Sequence, residues 1–414
     1  MLRCPSETHQ PPPEAGAVLP DGTSVQPHKA VHARRQKGEE ASSASKLINV
    51  KDFQDKARTI LPQPVFDYYA GGSGDEVALN RNANVFDRMT YSPQVLVDVS
   101  KVSTQIELLG RTLSSPMLVA PMAMNRLAHP DGEVAVARAV RKLGLGVILS
   151  TLSSTPVETV KAELGDDSLA LLQLYVLKNR SITEALVHRA ADAGCSALVL
   201  TVDAPVSGRR EKDIRNSFSV ASGVELPHLD GMAADANSRL LAFERAKDPS
   251  LTWEHLKWLT NLSPCQVWLK GVMRPDDALR AIDHGVSGII LSNHGGRQFD
   301  SAPSALQALP AVRRAIDVSG NGQVPLLVDG GIRRGEHILK ALALGANAVL
   351  VGRPVLWGLA NGGESGVSQV LGLLHEEFST AMRLAGCPNV SSIDPQGIGL
   401  QPDIVVREKV LMSG

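Results

Sequence analysis

Short runs of valine, isoleucine and leucine recur along the chain after residue 115, and each precedes a segment whose apolar residues have helical spacing. Continuous apolar runs are typical of strands buried on both faces, whereas apolar residues three and four apart indicate an amphipathic helix. The runs predict eight strands, at residues 117–120, 146–150, 169–175, 197–202, 266–270, 288–292, 324–329 and 347–351.

Helices are predicted between and after these strands, at residues 133–143, 157–164, 181–193, 253–259, 275–284, 305–316, 336–344 and 367–384. Three more are predicted before the first strand, at residues 50–60, 65–70 and 75–86. Buried strands that alternate with helices indicate a parallel sheet, and eight such units predict an α/β fold of the closed (β/α)8 type, a TIM barrel. An open, doubly wound sheet is the alternative.

One strand-to-helix connection is long, from residue 203 to residue 251. Connections of this length inside a barrel are usually functional or mobile. Pro227, Gly231 and the alanine-rich residues 232–236 favour a poorly ordered lid, and a surface insertion without a role is the alternative.

The ends of the chain differ from the middle in composition. Residues 1–45 contain six prolines and no Phe, Trp or Tyr. A segment of this kind cannot build an apolar core, so we expect a disordered N-terminal extension.

Composition and charge exclude several classes of protein. The 414 residues carry 42 basic and 43 acidic side chains, so no global positive field favours nucleic acid. No apolar stretch approaches the roughly 18 residues of a membrane-spanning helix. The four cysteines are far apart, without the spacing of a disulfide scaffold or a zinc site, so no metal is expected.

A soluble, intracellular protein fits best, cytoplasmic or organellar, and its C-terminal Leu411-Met-Ser-Gly414 lacks a peroxisomal signal.

Polar side chains occupy the ends of most predicted strands, where a purely structural barrel would not need them. They are Ser150, Gln173, Tyr175, Thr201, Asp203, Lys270, Ser292, His294, Arg297, Asp329 and Arg353. Active sites of TIM barrels lie at the carboxyl ends of the strands. The sequence therefore predicts a site there.

Two glycine- and arginine-containing turns follow the last two strands, Asp329-Gly-Gly-Ile-Arg-Arg-Gly335 and Gly352-Arg-Pro354. Glycines let backbone N–H groups approach an anion, and arginines bind phosphate oxygens. This is the usual phosphate position of the fold, although tight turns with salt-bridged arginines are the alternative. Neither a G-x-G-x-x-G fingerprint nor a P-loop is present, which disfavours Rossmann nicotinamide binding and P-loop chemistry.

Four residues at strand ends have the chemistry of catalysis. Lys270 could form a Schiff base or be a cation that stabilises a developing anion, and the residues alone leave both open. His294 and Arg297 share one loop, where they could remove a proton and bind a carboxylate. Asp203 is the candidate to orient the imidazole and stabilise its charged form.

Residues from about 47 to 394 resemble the FMN-dependent 2-hydroxy-acid oxidases, which include glycolate oxidase, lactate oxidase and the flavin domain of flavocytochrome b2. The resemblance is carried by Phe66-Asp-Tyr-Tyr-Ala-Gly-Gly72, Ala120-Pro-Met-Ala123, Gln173-Leu-Tyr175, Thr201-Val-Asp203, Gly208-Arg-Arg-Glu211, Leu269-Lys-Gly271, Ser292-Asn-His-Gly-Gly-Arg-Gln298 and the two glycine–arginine turns. It implies a barrel domain at residues 46–394 and leaves residues 395–414 as a C-terminal tail.

The resemblance implies an FMN site and roles for its residues. The phosphate would lie on Gly331, Arg333, Gly352 and Arg353, and the ring would contact Ser150, Gln173, Thr201 and the backbone at Ala123. Lys270 would stabilise negative charge on the reduced ring, which makes the Schiff base improbable, and Ser292 and Asp329 complete the implied cofactor site. His294 would take the hydroxyl proton with support from Asp203, Tyr175 would bind the hydroxyl, and Tyr68, Arg210 and Arg297 would bind the carboxylate.

Three implied pocket residues, Met122, Leu152 and Phe243, replace Thr, Trp and Val of plant glycolate oxidases. A Leu in place of a Trp frees room for a methyl group, and one methyl is worth only about 1–3 kcal/mol, so a preference is expected. We therefore expect oxidation of L-lactate to pyruvate with dioxygen, releasing hydrogen peroxide, by a homotetramer.

Other functions stay open at this stage. They are a glycolate oxidase, a lactate dehydrogenase with another electron acceptor, a lyase or isomerase that uses Lys270, and a barrel without catalytic activity.

Overall fold

The computed structural model describes residues 46–400. The predicted N-terminal extension and all of the predicted tail beyond residue 400 lie outside the described residues.

Eight parallel strands form one closed barrel, with the eighth strand paired to the first. The strands are β1 (Met117–Val119), β2 (Gly146–Leu149), β3 (Leu169–Leu174), β4 (Ala197–Thr201), β5 (Gln266–Val272), β6 (Gly288–Leu291), β7 (Leu326–Asp329) and β8 (Ala348–Val351). The predicted TIM barrel is confirmed.

Apolar side chains fill both sides of the barrel wall, which explains why the strands have continuous apolar sequences. One buried cluster lies inside the barrel and includes Trp268, Ile290 and Leu350. Gly288 leaves room for the indole, since a Cβ there would lie 2.3 Å from the Trp268 ring. A larger cluster packs the strands against the surrounding helices.

The helices that follow the strands are Gly132–Leu143, Val157–Leu164, Arg180–Asp192, Trp253–Leu262, Pro275–Asp283, Ala305–Val318, Gly335–Ala343 and Arg353–Ala385. The first seven agree with prediction to within a few residues. The last begins at residue 353 and not at 367, because Pro354 occupies its first turn and starts it directly after β8. Gly362 and Gly363 interrupt the helical backbone of this helix. For this reason the sequence pattern did not reveal the part of the helix that precedes them.

Elements before β1 and at the C-terminal end complete the fold. The preface consists of the helices Val50–Ile60, Gln63–Ala70 and Val77–Asn84 and a 3-10 turn at Phe86–Arg88. The hairpin Ile106–Leu108 and Arg111–Leu113 closes the amino-terminal end of the barrel, because its Leu108 and Leu113 join the interior cluster. Strand Met89–Tyr91 pairs antiparallel with Ile398–Leu400, which lies within the predicted tail.

The long connection after β4 is present, but it is not an irregular lid as predicted. It contains the helices Glu211–Arg215 and Ala236–Ala246. Asp235 caps the second helix by accepting a hydrogen bond from the backbone of Ser238 at 3.0 Å. The alanines after residue 232 therefore lead into a helix.

Residues 46–400 contain no helix long and apolar enough to cross a membrane.

Candidate active site

A cavity of about 520 Å³ opens at the carboxyl ends of the barrel strands. All but two of the predicted site residues line it. They are Tyr68, Met122, Ala123, Ser150, Leu152, Gln173, Tyr175, Thr201, Arg210, Phe243, Lys270, His294, Arg297, Asp329, Gly331, Arg333, Gly352 and Arg353. The other two, Asp203 and Ser292, do not line the cavity. Asp203 contacts the lining residue His294, and Ser292 contacts the lining residue Lys270.

His294 lies in a tight turn after β6. The residues from His294 to Gly296 have φ angles of 59°, 63° and 76°, in the left-handed region. Only glycine fits at position 296, because a Cβ would lie 2.5 Å from the backbone of Leu79. The Ser292 hydroxyl accepts the His294 backbone N–H at 2.9 Å and supports the strained turn. The turn places the imidazole in the cavity wall.

The imidazole of His294 is paired with a carboxylate. Its Nδ1 lies 2.8 Å from Oδ1 of Asp203. Burial alone would raise the pKa of Asp203, but the attraction of His294, its hydrogen bond and the charge of Lys270 together lower that pKa. Asp203 is therefore ionised at neutral pH and can stabilise a positive charge on the imidazole.

Lys270 is a buried cation at the end of β5. Its Nζ lies 2.8 Å from Oδ2 of Asp329 and donates to the Ser292 hydroxyl at 2.7 Å. Burial would lower the pKa of Lys270, but Asp329 and Asp203 outweigh it and raise that pKa. An ammonium held in this way is a fixed positive charge and a poor Schiff-base nucleophile. The arrangement disfavours a lyase or isomerase that depends on a neutral Lys270.

Two arginines and a tyrosine form another wall. The guanidinium of Arg297 lies 5.0 Å from the centre of the Tyr68 ring, and that of Arg210 lies 5.8 Å from it. Arg297 donates to the carbonyl of Tyr68 at 2.5 Å, whereas Nε of Arg210 lies 2.9 Å from Asp213. Burial, followed by the charge of Arg210, lowers the pKa of Arg297. A carboxylate between the two arginines would relieve this repulsion.

Arg333 and Arg353 are half-buried beside the glycines that follow β7 and β8. Burial lowers the pKa of Arg333 to about 10 and that of Arg353 to about 9. Arg353 donates to the backbone carbonyls of Tyr69, Gly71 and Gly295 at 2.9 to 3.0 Å. Within residues 46–400 neither arginine makes an ion pair.

Cations that are partly withdrawn from water and lack an anionic partner are unfavourable, so these two residues fit a bound anion such as the phosphate of FMN. The buried Oδ1 of Asp329 also has no hydrogen-bond partner within the described residues. It could accept a hydrogen bond from a ribityl hydroxyl. The described residues at this end of the cavity therefore fit FMN.

A chain of uncharged polar groups joins the ends of β2, β3 and β4. The amide of Gln173 donates to the Thr201 hydroxyl at 3.0 Å and accepts the Thr151 backbone N–H at 3.2 Å. The Ser150 hydroxyl lies 3.4 Å from the same amide oxygen. These contacts hold donors and acceptors in fixed orientations, as recognition of a heterocyclic ring requires.

The side chains of Met122 and Leu152 lie on two loops that are fastened together. The backbone N–H of Met124 donates to the carbonyl of Leu152 at 2.9 Å. Buried Glu133 bridges the same loops by accepting the backbone N–H groups of Asn125 at 3.1 Å and Ser154 at 2.8 Å. These two of the three predicted pocket residues therefore keep a fixed relative position.

The insertion after β4 contributes residues that sequence reasoning missed. Leu240, Glu244 and Lys247 line the cavity together with Phe243, from one face of the helix Ala236–Ala246 and the residue after it. Their spacing of three, four and seven residues was a helical signal, and Asp235 was a capping signal. Phe243 packs edge-on against Tyr175, with 5.4 Å between ring centres.

Comparison with known proteins agrees with this geometry. Residues 57–399 match the model of the FMN-dependent dehydrogenase family. The chain is 48% identical over 363 residues to a protein of Nostoc sp. strain PCC 7120 named L-lactate oxidase, covering 85% of this chain and 98% of that one. It is 41% identical to 2-hydroxyacid oxidase 1 of Homo sapiens, covering 84% and 95%. A crystal structure of a mandelate oxidase superposes with a TM-score of 0.78 at 42% identity, covering 86% and 99%.

The family match spans most of the chain. The cavity contains a histidine paired with a carboxylate, a buried lysine and two arginines that fit a bound anion. The chain therefore belongs to the FMN-dependent dehydrogenase family, and its cofactor is FMN.

Proposed function

We propose that this protein oxidises short L-2-hydroxy acids, preferentially L-lactate to pyruvate, with dioxygen as electron acceptor. The observation that carries the proposal is the His294–Asp203 pair in one cavity with two arginines that can bind a carboxylate. In the reaction the substrate loses two protons, one from the hydroxyl group and one from the α-carbon, together with two electrons, and a C=O bond forms. Dioxygen gains two electrons and two protons and becomes hydrogen peroxide.

The chain's own residues would bind and orient the substrate. Arg210 and Arg297 bind its carboxylate beside the Tyr68 ring. Burial and then the charge of Asp203 raise the pKa of Tyr175, so its phenol stays protonated and can donate to the substrate oxygen. The binding site thereby directs the hydroxyl group toward His294.

The proton is then taken by His294. Asp203 occupies Nδ1, so Nε2 is the nitrogen that accepts the hydroxyl proton, and the carboxylate stabilises the resulting imidazolium. The chemistry that FMN supplies when bound is two-electron exchange between the substrate and the acceptor. Arg333, Arg353 and the glycines after β7 and β8 would hold its phosphate, and Lys270 would supply a fixed positive charge.

The preference for lactate is supported by the pocket residues. Leu152 and Met122 border the cavity with flexible or small aliphatic groups, which leave space for a methyl substituent. One relative is named L-lactate oxidase, whereas others are named glycolate oxidase or mandelate oxidase. The size of the α-substituent is therefore the property to test.

A spectroscopic titration tests the reaction. We expect the yellow holoenzyme to lose its visible absorbance when L-lactate is added without air, and to recover it in air with one peroxide formed per lactate. D-lactate should have no effect. If no short L-2-hydroxy acid bleaches the protein, the proposal is wrong, and bleaching without peroxide would indicate a different acceptor.

Replacement Leu152→Trp tests the substrate assignment. The larger side chain should reduce kcat/KM for L-lactate relative to glycolate by about 10- to 100-fold, since one methyl group contributes about 1–3 kcal/mol. Both rates are measured by oxygen consumption at equal FMN content. An unchanged ratio would mean that Leu152 does not select the substrate.

A further inference from the structure

A second cavity of about 440 Å³ lies beside the active site, between the ends of β4 and β5 and the helix Trp253–Leu262. Its lining is mostly apolar and includes Val176, Leu200, Leu251, Leu256, Leu269 and Val272. The proposed reaction assigns no role to this space.

A single layer of residues separates the two cavities. Tyr175, Thr201, Ala204 and Lys247 line both of them. Thr201, Ala204 and Lys247 are only 5 to 7% exposed, so three of the four side chains in this partition are largely removed from solvent. A small molecule in the second cavity would therefore lie one side chain away from the active site.

The charge of Lys247 is neutralised within the partition. Its Nζ lies 2.7 Å from Oε2 of Glu244 and donates to the Ser207 hydroxyl at 3.0 Å. The same ammonium lies 5.8 Å from the ring centres of Tyr175 and Phe243. The ion pair and the two rings bind the positive charge, so it does not make the second cavity a site for an anion.

The partition is also fixed by its backbone. Lys178 N–H donates to the carbonyl of Ala246 at 2.8 Å, and Asp248 N–H donates to that of Val176 at 3.2 Å. The segment that follows Tyr175 is thereby paired with the segment that contains Lys247. A rigid partition would let only small molecules pass between the cavities.

We propose that the second cavity holds dioxygen and supplies it to the active site through this partition. Dioxygen is small and apolar, so it enters an apolar cavity without loss of hydrogen bonds. The carboxylates of the hydroxy acid and the oxo acid would lose their hydration there, which excludes them. The acceptor therefore reaches the active site by a path that the bound substrate does not block. This inference rests on the proposed oxidase function.

Xenon tests the cavity directly, because apolar protein cavities bind this atom. Crystals of the holoenzyme pressurised with xenon should show an anomalous peak between Leu251 and Leu256. A cavity that contains ordered water and no xenon would overturn the proposal, whatever the activity of the enzyme.

Replacement Leu251→Trp tests the route by filling the cavity from a residue that does not line the active site. Leu262→Trp is the matched control, since Leu262 is also half-buried, lies on the adjacent helix and lines neither of the two cavities. We expect Leu251→Trp to slow reoxidation of the reduced enzyme by dioxygen severalfold. Anaerobic reduction by L-lactate and turnover with ferricyanide should match the control.

The possible failures are distinguishable. If wild-type enzyme bleaches with L-lactate but forms no peroxide, the oxidase function fails and the dioxygen route fails with it. If peroxide forms and both tryptophan variants react equally fast with dioxygen, only the dioxygen route is wrong. If Leu251→Trp does not fold, the xenon experiment on the wild-type protein decides.

Discussion

The chemistry proposed for His294 depends on a contact between two residues 91 positions apart in the chain. Asp203 follows β4 and His294 follows β6, so the barrel brings their side chains together across the end of β5. Gly271 makes room for this contact, because a Cβ there would lie 2.6 Å from the Cβ of Asp203. The orientation of the imidazole is therefore a property of three neighbouring strand ends.

The replacement His294→Gln tests its role as the base. Glutamine retains a hydrogen-bonding side chain but cannot accept a proton at neutral pH, so bleaching by L-lactate should slow by about 10²- to 10⁴-fold. FMN should remain bound, because His294 is not one of the residues proposed to hold the phosphate. Stopped-flow absorbance measures the rate, and His188→Gln, at an exposed histidine, is the control. A rate near that of the wild type would exclude His294 as the base.

At the scale of elements, one buried histidine attaches the insertion to the barrel. His228 is 4% exposed, and its Nε2 accepts the backbone N–H of Val157 at 3.0 Å. Its Nδ1 lies 3.2 Å from the carbonyl of Thr151, to which it donates in the neutral tautomer. Thr151 precedes Leu152, so the attachment also positions this residue of the cavity lining. The contact requires a neutral ring.

Acidification should therefore loosen the insertion. Burial, followed by the charge of Arg189, lowers the pKa of His228 from 6.5 to about 4. His228 takes up a proton near pH 6.5 in the unfolded chain but only near pH 4 in the folded chain. The free energy of unfolding therefore keeps its full value above pH 6.5 and falls as the pH decreases toward 4. Between these two pH values the free energy of unfolding decreases by about 3 kcal/mol.

Hydrogen exchange at pH 7.5 and pH 5 measures this effect. Amides in residues 204–250 of the wild type should exchange faster at pH 5 after correction for intrinsic rates, while those in the helix Ala305–Val318 should change little. His228→Gln does not titrate in this range, so its exchange in the insertion should depend much less on pH. Equal pH dependence in both proteins would refute the role of His228.

For the molecule as a whole, the two arginines of the proposed phosphate site follow the two strands at which the barrel closes. Arg333 follows β7 and Arg353 follows β8, the strand that closes the barrel against β1. Arg353 also contacts the backbone of the preface at Tyr69 and Gly71 and that of the His294 turn at Gly295. A phosphate on these arginines would link the preface, the last strands and the His294 turn. FMN should therefore stabilise the whole barrel.

Thermal unfolding of the apoprotein tests this connection. FMN at about 100 times its Kd should add roughly 2.7 kcal/mol of stability and raise Tm. Arg353→Met should bind FMN more weakly and show a smaller rise, whereas the exposed Arg334→Met should behave like the wild type. Riboflavin, which has no phosphate, should bind both variants and the wild type with similar affinity. If Arg353→Met binds FMN as tightly as the wild type, Arg353 does not hold the phosphate.

Much of the architecture could be predicted because its signals are local. Strands buried on both faces need continuous apolar runs, and each helix shows its own periodicity, so eight strand–helix units were evident without coordinates. Motifs such as residues 292–298 and 329–335 are also contiguous, so the residues at the strand ends could be named. The first part of the helix Arg353–Ala385 escaped because two glycines conceal its periodicity.

Contacts between distant segments could be decided only by the tertiary structure. The distance from Arg297 to the carbonyl of Tyr68, 229 residues away, depends on how the preface packs on the barrel. The position of Lys247 between two cavities depends in the same way on how the insertion folds back. Sequence alone determined the barrel and the chemical groups at its strand ends, because local spacing sets secondary structure. The partners of those groups, and the partition between the cavities, follow from packing across the chain, which no local pattern contains.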